Sequence, residues 1–291
     1  MDGLILREDS PLFAALAALA RDARLVFFAG LPGTGKSLLI HQLAHLAHAR
    51  GRQVHLLQWD VARPVFEASR AGRRHPQVRG VTHGVIRLAV GRWARDAVAR
   101  WHAQHPGLDH LLIGETPFIG HRLVSLARRE ADEAEAVLVA ETTRFVMPVP
   151  SRELRAHLEG ERERRAREPR HPREREDASP AVLRALWREL FDVAGTLGIA
   201  GAKPAGEDVP YDPNVYRQVY ERVLAHRRTT TLALDTRLPA EQGSAYAFSV
   251  PTADVLPTAE EASWLVEDTE ARYPHAVLLD LALEAWYQVD R

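Results

Sequence analysis

The chain has no cysteine, two methionines, a single asparagine and only two lysines. Without cysteine there can be no disulfide, no thiolate zinc site and no cysteine nucleophile. The lone asparagine, Asn214, sits in Asp-Pro-Asn-Val-Tyr, so the Asn-Lys-x-Asp element that reads guanine is missing. Long hydrophobic runs are also absent. The apolar stretch from Pro11 to Ala20 is too short to cross a bilayer, and the opening Met1-Asp-Gly-Leu-Ile-Leu-Arg-Glu-Asp is too acidic for a signal or transit peptide. A cytoplasmic location is the expectation. The formal net charge of −1 gives no global pull toward nucleic acid or membrane, so any electrostatic preference must be local. With 291 residues, 46% of them hydrophobic, the chain can bury one large core, with or without a small appendage.

Against this background one segment stands out. Gly30-Leu-Pro-Gly-Thr-Gly-Lys36-Ser37 fits the phosphate-binding pattern G-x-x-x-x-G-K-[ST], and it holds one of the two lysines in a chain that otherwise uses 36 arginines. A slim ammonium fits among backbone N–H groups around a triphosphate where a broad guanidinium does not. Leu25 to Ala29 ahead of the loop is a short apolar run rich in strand formers, and Leu38 to Ala47 behind it has helical periodicity. Gly30, Pro32, Gly33, Thr34, Gly35, Lys36, Ser37 and Leu38 are the expected nucleotide contacts. Lys36 would bridge the β- and γ-phosphates, and the Ser37 hydroxyl would ligate Mg²⁺.

Candidate strands follow at Val54 to Trp59, Leu111 to Gly114, Val137 to Glu141 and Thr230 to Leu234, separated mostly by helical patterns. With the run before the loop they make a five-stranded parallel sheet flanked by helices, an α/β fold. Helix starts are marked at Ser10-Pro11, Ser179-Pro180 and Asp212-Pro213, and Thr258-Ala-Glu-Glu261 is a capping box. Pro239, Gly243, Pro251 and Pro257 mark irregular chain, and a last helix runs from about Ala276 to Tyr287. The division expected is 1–236 as the main domain and 237–291 as a C-terminal helical appendage packed on it.

Two apolar runs end in carboxylates, Asp60 and Glu115, and the carboxyl ends of parallel strands are where open α/β sheets bind ligands. One could support the metal while the other accepts the proton of an attacking hydroxyl; which does which is open. Asp60-Val-Ala-Arg63 places Arg63 beside the first of them. Residues 60–108 form an Arg-rich insert with Arg70, Arg73, Arg74 and Arg79, suited to an anionic acceptor. Its Trp93 and Trp101, eight apart on a helical pattern, are expected in the core. Residues 151–177 interleave Arg with Asp and Glu, which ordinarily marks a solvated helix laced with salt bridges.

The loop Gly30 to Ser37, the carboxylates closing strands two and three, and an Arg-rich helix after strand four resemble the small-molecule and nucleotide kinases of the P-loop NTPase superfamily. The loop wording is most similar to the gluconate, zeta-toxin and polynucleotide-kinase-like branch. The resemblance implies a three-layer P-loop NTPase fold across about residues 24–236 and an ATP- and Mg²⁺-dependent kinase acting on a small-molecule acceptor. It further implies acceptor contacts from Asp60 and Arg63 and a phosphate-closing lid bearing Arg155, Arg162 and Arg165. Arg144, read as lying just past the fourth strand, is a further phosphate candidate. Catalysis would then rest on Lys36, Asp60 and Glu115.

The departures are the long insert, the Pro169 and Pro172 hinge and the tail after Leu238. Two other readings stay open: a regulatory or assembly ATPase without a separate acceptor, and a nucleic-acid-end kinase motivated by the arginines of the insert. His41, His45 and His48 share one helix face about 200° from the leucine stripe, which predicts solvated rings rather than a metal site.

Overall fold

The computed structural model describes residues 3–78, 80–169, 171–176, 178–201, 209–237 and 250–289. Arg79, Asp177, Lys203, Pro239 and Gly243 lie outside the described residues. Six strands make one parallel sheet: β1 (Leu25–Ala29), β2 (Gln53–Gln58), β3 (His110–Thr116), β4 (Thr143–Pro150), β5 (Thr229–Leu234) and β6 (Thr252–Asp254). Their order is β5-β4-β1-β3-β2-β6, and every pairing is parallel.

Two apolar layers cover the sheet, because side chains of successive strand residues point to opposite faces. Val26 and Phe28 of β1 belong to the layer with α1 (Pro11–Asp22) and α2 (Lys36–His48). Leu25, Phe27 and Ala29 belong to the other, with α3 (Trp59–Ala68), α4 (Gly84–Gln104), α5 (Glu133–Leu138), α7 (Pro180–Thr196) and α8 (Pro213–Val223). Trp93 and Trp101 are buried there, as their spacing predicts. Helix α6 (Arg152–Arg167) follows β4. In the C-terminal stretch α9 (Ala259–Arg272) packs on α3 and α4, and α10 (Ala276–Glu284) touches α4.

The sheet corrects the sequence reading in two places. Val137 to Glu141 is not a strand: Val137 and Leu138 end helix α5, and the fourth strand begins at Thr143. Met147-Pro-Val-Pro150 reads as a poor central strand because proline cannot donate to a ladder. Here it costs nothing. The Phe145 N–H donates to Arg228 and the Ser151 N–H to Leu234, both toward β5, so the even positions face β1. The pairing with β1 ends at Val146, before Pro148 and Pro150 are reached. The second correction is the sixth strand, a three-residue edge paired with β2.

The connection from β1 runs through α2 to β2 on one side, whereas the chain leaving β3 crosses to β4 on the other. The sheet therefore changes winding direction between β1 and β3, and at their carboxyl ends lies the crevice where such sheets bind ligands.

Candidate functional site

The glycine loop leaves β1 at this switch point. Gly30 has φ 151° and Gly35, the residue before α2, has φ 86°, conformations that an L side chain resists. A Cβ on Gly30 would also stand 2.1 Å from the Tyr216 hydroxyl. Thr34 turns its hydroxyl inward to donate to the Leu31 carbonyl at 2.9 Å. Helix α2 has no side-chain cap on its first turn, whereas Ser, Asp or Thr side chains cap α1, α6, α7, α8 and α9. Its first N–H groups and partial positive charge remain available to an anion. Ser37 and Leu38 are half-buried on that turn.

Lys36 is buried. Its ammonium donates to the Leu31 carbonyl at 2.8 Å and lies 3.4 Å from Glu115 Oε1. Burial pushes its pKa down, and the Glu115 charge opposes that shift. The contact exists because β1 and β3 are neighbours, with Ala29 level with Thr116. Gln58 is level with Glu115, which brings Asp60, in the first turn of α3, to the same end. Asp60 is exposed to solvent, yet burial raises its pKa, with the Glu115 charge adding to the shift. Open to water, it is also within electrostatic reach of Glu115, Arg63, Arg122 and Lys36.

Helix α6 meets the glycine loop through Arg155. This buried guanidinium donates to the Pro32 carbonyl at 2.8 Å and to Glu159 at 2.9 Å, and it packs over the Tyr211 ring at 5.7 Å. Arg162 and Arg155 both act electrostatically on Lys36. Arg165 stands apart, 3.8 Å from Glu174. Arg63 pairs with Glu67 at 2.7 Å and faces Asp60. Arg144 is not brought to the site. It is level with Val26 near the start of β4, at the opposite end of the sheet, and donates to the carbonyls of Glu141 and Thr143. The misplaced fourth strand is the cause.

No motif or periodicity marks the loop after β3. Phe118, His121 and Leu123 all have φ between 60° and 65°, and they are the only such non-glycine residues among those described. Each costs of order 1–3 kcal/mol, and such strain gathers at functional sites. Backbone bonds between Phe118 and Arg122 close the loop, the Tyr220 hydroxyl donates to the Pro117 carbonyl at 2.8 Å, and Arg87 donates to the Gly120 carbonyl at 2.7 Å. The loop thereby presents Arg122 to the cleft. Its side chain makes no hydrogen bond or close ion pair with a described residue, and it senses Glu189 and Asp60 electrostatically. Burial pushes the Arg122 pKa down and the Glu189 pKa up. Asp60, Arg122, Glu189 and Arg87 are thus electrostatically coupled, Asp60 to Arg122 and Glu189 to both arginines.

The arginines of the insert have a different fate. Arg70 pairs with Glu267 and Arg74 with Glu270, each at 2.7 Å, while Arg92 meets Asp268 and Arg100 meets Glu261. The acidic face of α9 compensates these four.

A second polar and aromatic cluster lies at the amino end of the sheet. His55 of β2, His105 just after α4 and His110 at the start of β3 are half-buried around Trp101. One ring nitrogen from each lies within 4.8 Å of the others, a spacing that a divalent metal could bridge. Burial, with His105 and His110 contributing, lowers the His55 pKa to about 4. By contrast His41 and His45, expected in solvent, are buried with Nε2 atoms 3.1 Å apart. The α1 helix and residues 3–6 cover the face of α2 opposite the sheet: Gln42 accepts from Ile5 and Leu6, and its amide donates to Gly3.

No protein-family model, no curated protein and no solved structure matches the chain. What stands is a three-layer α/β fold with two polar clusters able to serve catalysis or binding. No helix among the described residues is long and apolar enough to cross a membrane.

Proposed function

We propose that the chain is an ATP- and Mg²⁺-dependent phosphotransferase acting on a hydroxyl of a small anionic acceptor. One observation carries this reading: at the switch point the uncapped α2 terminus and Lys36, with Glu115 3.4 Å from it, stand within electrostatic reach of Asp60. The residues present suit a nucleotide. Loop N–H groups and Lys36 would hold the β- and γ-phosphates, Arg155 and Arg162 would offset charge spreading over the transferred group, and Ser37 would hold Mg²⁺. The metal, when bound, supplies further charge neutralisation on the phosphate oxygens.

The two carboxylates divide the work by their surroundings. Glu115, ion-paired with Lys36, stays with the phosphates and the metal's water shell. Asp60, whose pKa is raised, is the better proton acceptor for the attacking hydroxyl. Arg122, with Arg63 and Arg87, would orient an anionic group on the acceptor, and Glu189 would receive a donor group beside it. Phosphoryl transfer asks mostly for such positioning and electrostatics.

The oligonucleotide reading is weakened because Arg70, Arg74, Arg92 and Arg100 of the insert are paired with acidic residues of α9. Screening pooled hydroxyl metabolites for ADP formation tests the proposal. ADP should appear only when an acceptor is supplied; steady ATP loss at the same rate with and without every acceptor would replace the kinase by an acceptor-free ATPase.

A further inference from the structure

The glycine-loop site leaves the histidines at the far end of the sheet unused. His55 Nε2 is 3.0 Å from His110 Nδ1, and the ring centres of His55 and His110 are each 4.5 Å from that of His105. His105 Nδ1 is buried and has no hydrogen-bond partner among the described residues. Buried polar nitrogens are normally satisfied, and a metal ion held between the three rings would satisfy this one. Three imidazole nitrogens at metal–nitrogen distances of about 2.1 Å in a tetrahedral array would lie about 3.4 Å apart. The present separations, none above 4.8 Å, need ring rotations and shifts of about an ångström.

We infer that His55, His105 and His110 form a binding site for a borderline divalent transition ion of the zinc class, with water completing the coordination. The donor set decides the class of ion. Neutral imidazoles favour zinc, copper or nickel, and the absence of a carboxylate from the triad disfavours magnesium and calcium. The site is thus chemically distinct from the Mg²⁺ position proposed beside Ser37. It is also remote, since Glu115 lies five positions along β3 from His110, about 16 Å.

The neighbours suit a structural role. Trp101 stacks on His105 at 5.4 Å, and Arg24 reaches the His105 carbonyl and the His102 ring. The Arg24 guanidinium and that of Arg52, which donates to the His110 carbonyl at 2.7 Å, oppose a cation here and moderate the affinity. A bound ion would tie the chain between α4 and β3 to the middle of β2, fixing the amino edge of the sheet while leaving the opposite end free to bind ligands.

The test uses the full chain without a histidine tag, dialysed against Zn²⁺ and analysed for bound metal. Wild type should retain about one equivalent that is missing from His105→Gln and from His55→Gln, and Mg²⁺ should not displace it. At a metal concentration about a hundredfold above Kd, the wild-type melting temperature should rise by about 5 °C, with no rise for His105→Gln. Co²⁺ in place of Zn²⁺ should give the visible absorption of a tetrahedral site, a readout independent of any enzyme activity. Circular dichroism confirms that each variant is folded. Failure of wild type to retain the ion, retention by both triad variants, or loss in His41→Gln/His45→Gln instead would overturn the inference.

Discussion

Replacing Gly30 by alanine probes the loop geometry without touching a charged group. The added Cβ would sit 2.1 Å from the Tyr216 hydroxyl, about 1 Å inside the closest contact real Cβ atoms make, on a backbone with φ 151°. Tyr216 cannot swing aside, since it is fully buried with Tyr220 at 4.9 Å and Tyr211 at 5.8 Å between ring centres. Overpacking costs about 1–3 kcal/mol and the backbone conformation about 1–3 kcal/mol more, a large part of an ordinary domain's stability. The hydroxyl interacts with Thr34 and the Leu31 backbone, so Tyr216→Phe alone should cost about 0.5–1.5 kcal/mol, the net worth of one hydrogen bond. Without it the nearest ring atom to the new methyl is Cζ at 3.5 Å, ordinary contact. Urea unfolding of the two single variants and the double variant should show Tyr216→Phe recovering the packing part of the Gly30→Ala loss and leaving the backbone part. A Gly30→Ala protein as stable as wild type, or a double variant no better than Gly30→Ala, would refute this account of the loop.

Other consequences are equally direct. Arg122→Ala should raise the acceptor KM by about 10- to 100-fold and leave ATP affinity unchanged, the worth of one charged hydrogen bond; an altered ATP affinity with unchanged KM would place Arg122 elsewhere. Glu135 accepts from Arg95 and Arg227, both buried, and although burial pushes its pKa up, hydrogen bonds from Arg227 and Arg95 hold it down to about 2. Glu135→Gln should therefore cost about 3–5 kcal/mol in urea unfolding, since it strands buried guanidinium charge. His41 has its pKa lowered to about 4, first by burial and then by the His45 charge. Between pH 6.5 and 4 the unfolded chain then binds more protons than the folded one, so His41 makes stability fall on acidification through that window, by up to about 3 kcal/mol. His41→Gln should flatten this part of the stability–pH curve, and an unchanged slope would count against the burial of the ring.

The loop and its flanking strand and helix were legible because their chemistry is local: glycines at positive φ, one lysine and an apolar run on each side. The proline-led helix starts and the Thr258 capping box were legible for the same reason, and all are present. The fourth strand was not. Whether Pro148 and Pro150 break a strand depends on where the neighbouring strand stops, which is a tertiary fact. His41 and His45 misled similarly, because an amphipathic pattern marks one buried face and cannot show that tertiary packing buries the other as well. Among site residues, Lys36, Asp60 and Glu115 follow from strand ends. Arg122 follows from a strained loop that needs Tyr220, Arg87 and Phe145 around it, contacts distant in sequence.

The central claim is that Lys36 and the loop hold a nucleotide's phosphates, and calorimetric titration of ATP with Mg²⁺ into wild type and Lys36→Ala tests it most directly. Wild type should bind with one site per chain, and Lys36→Ala, shown to be folded by circular dichroism, should lose that binding by at least about a hundredfold, in line with a buried charged contact. Equal ATP affinity in the two proteins, or no binding by wild type, would contradict it.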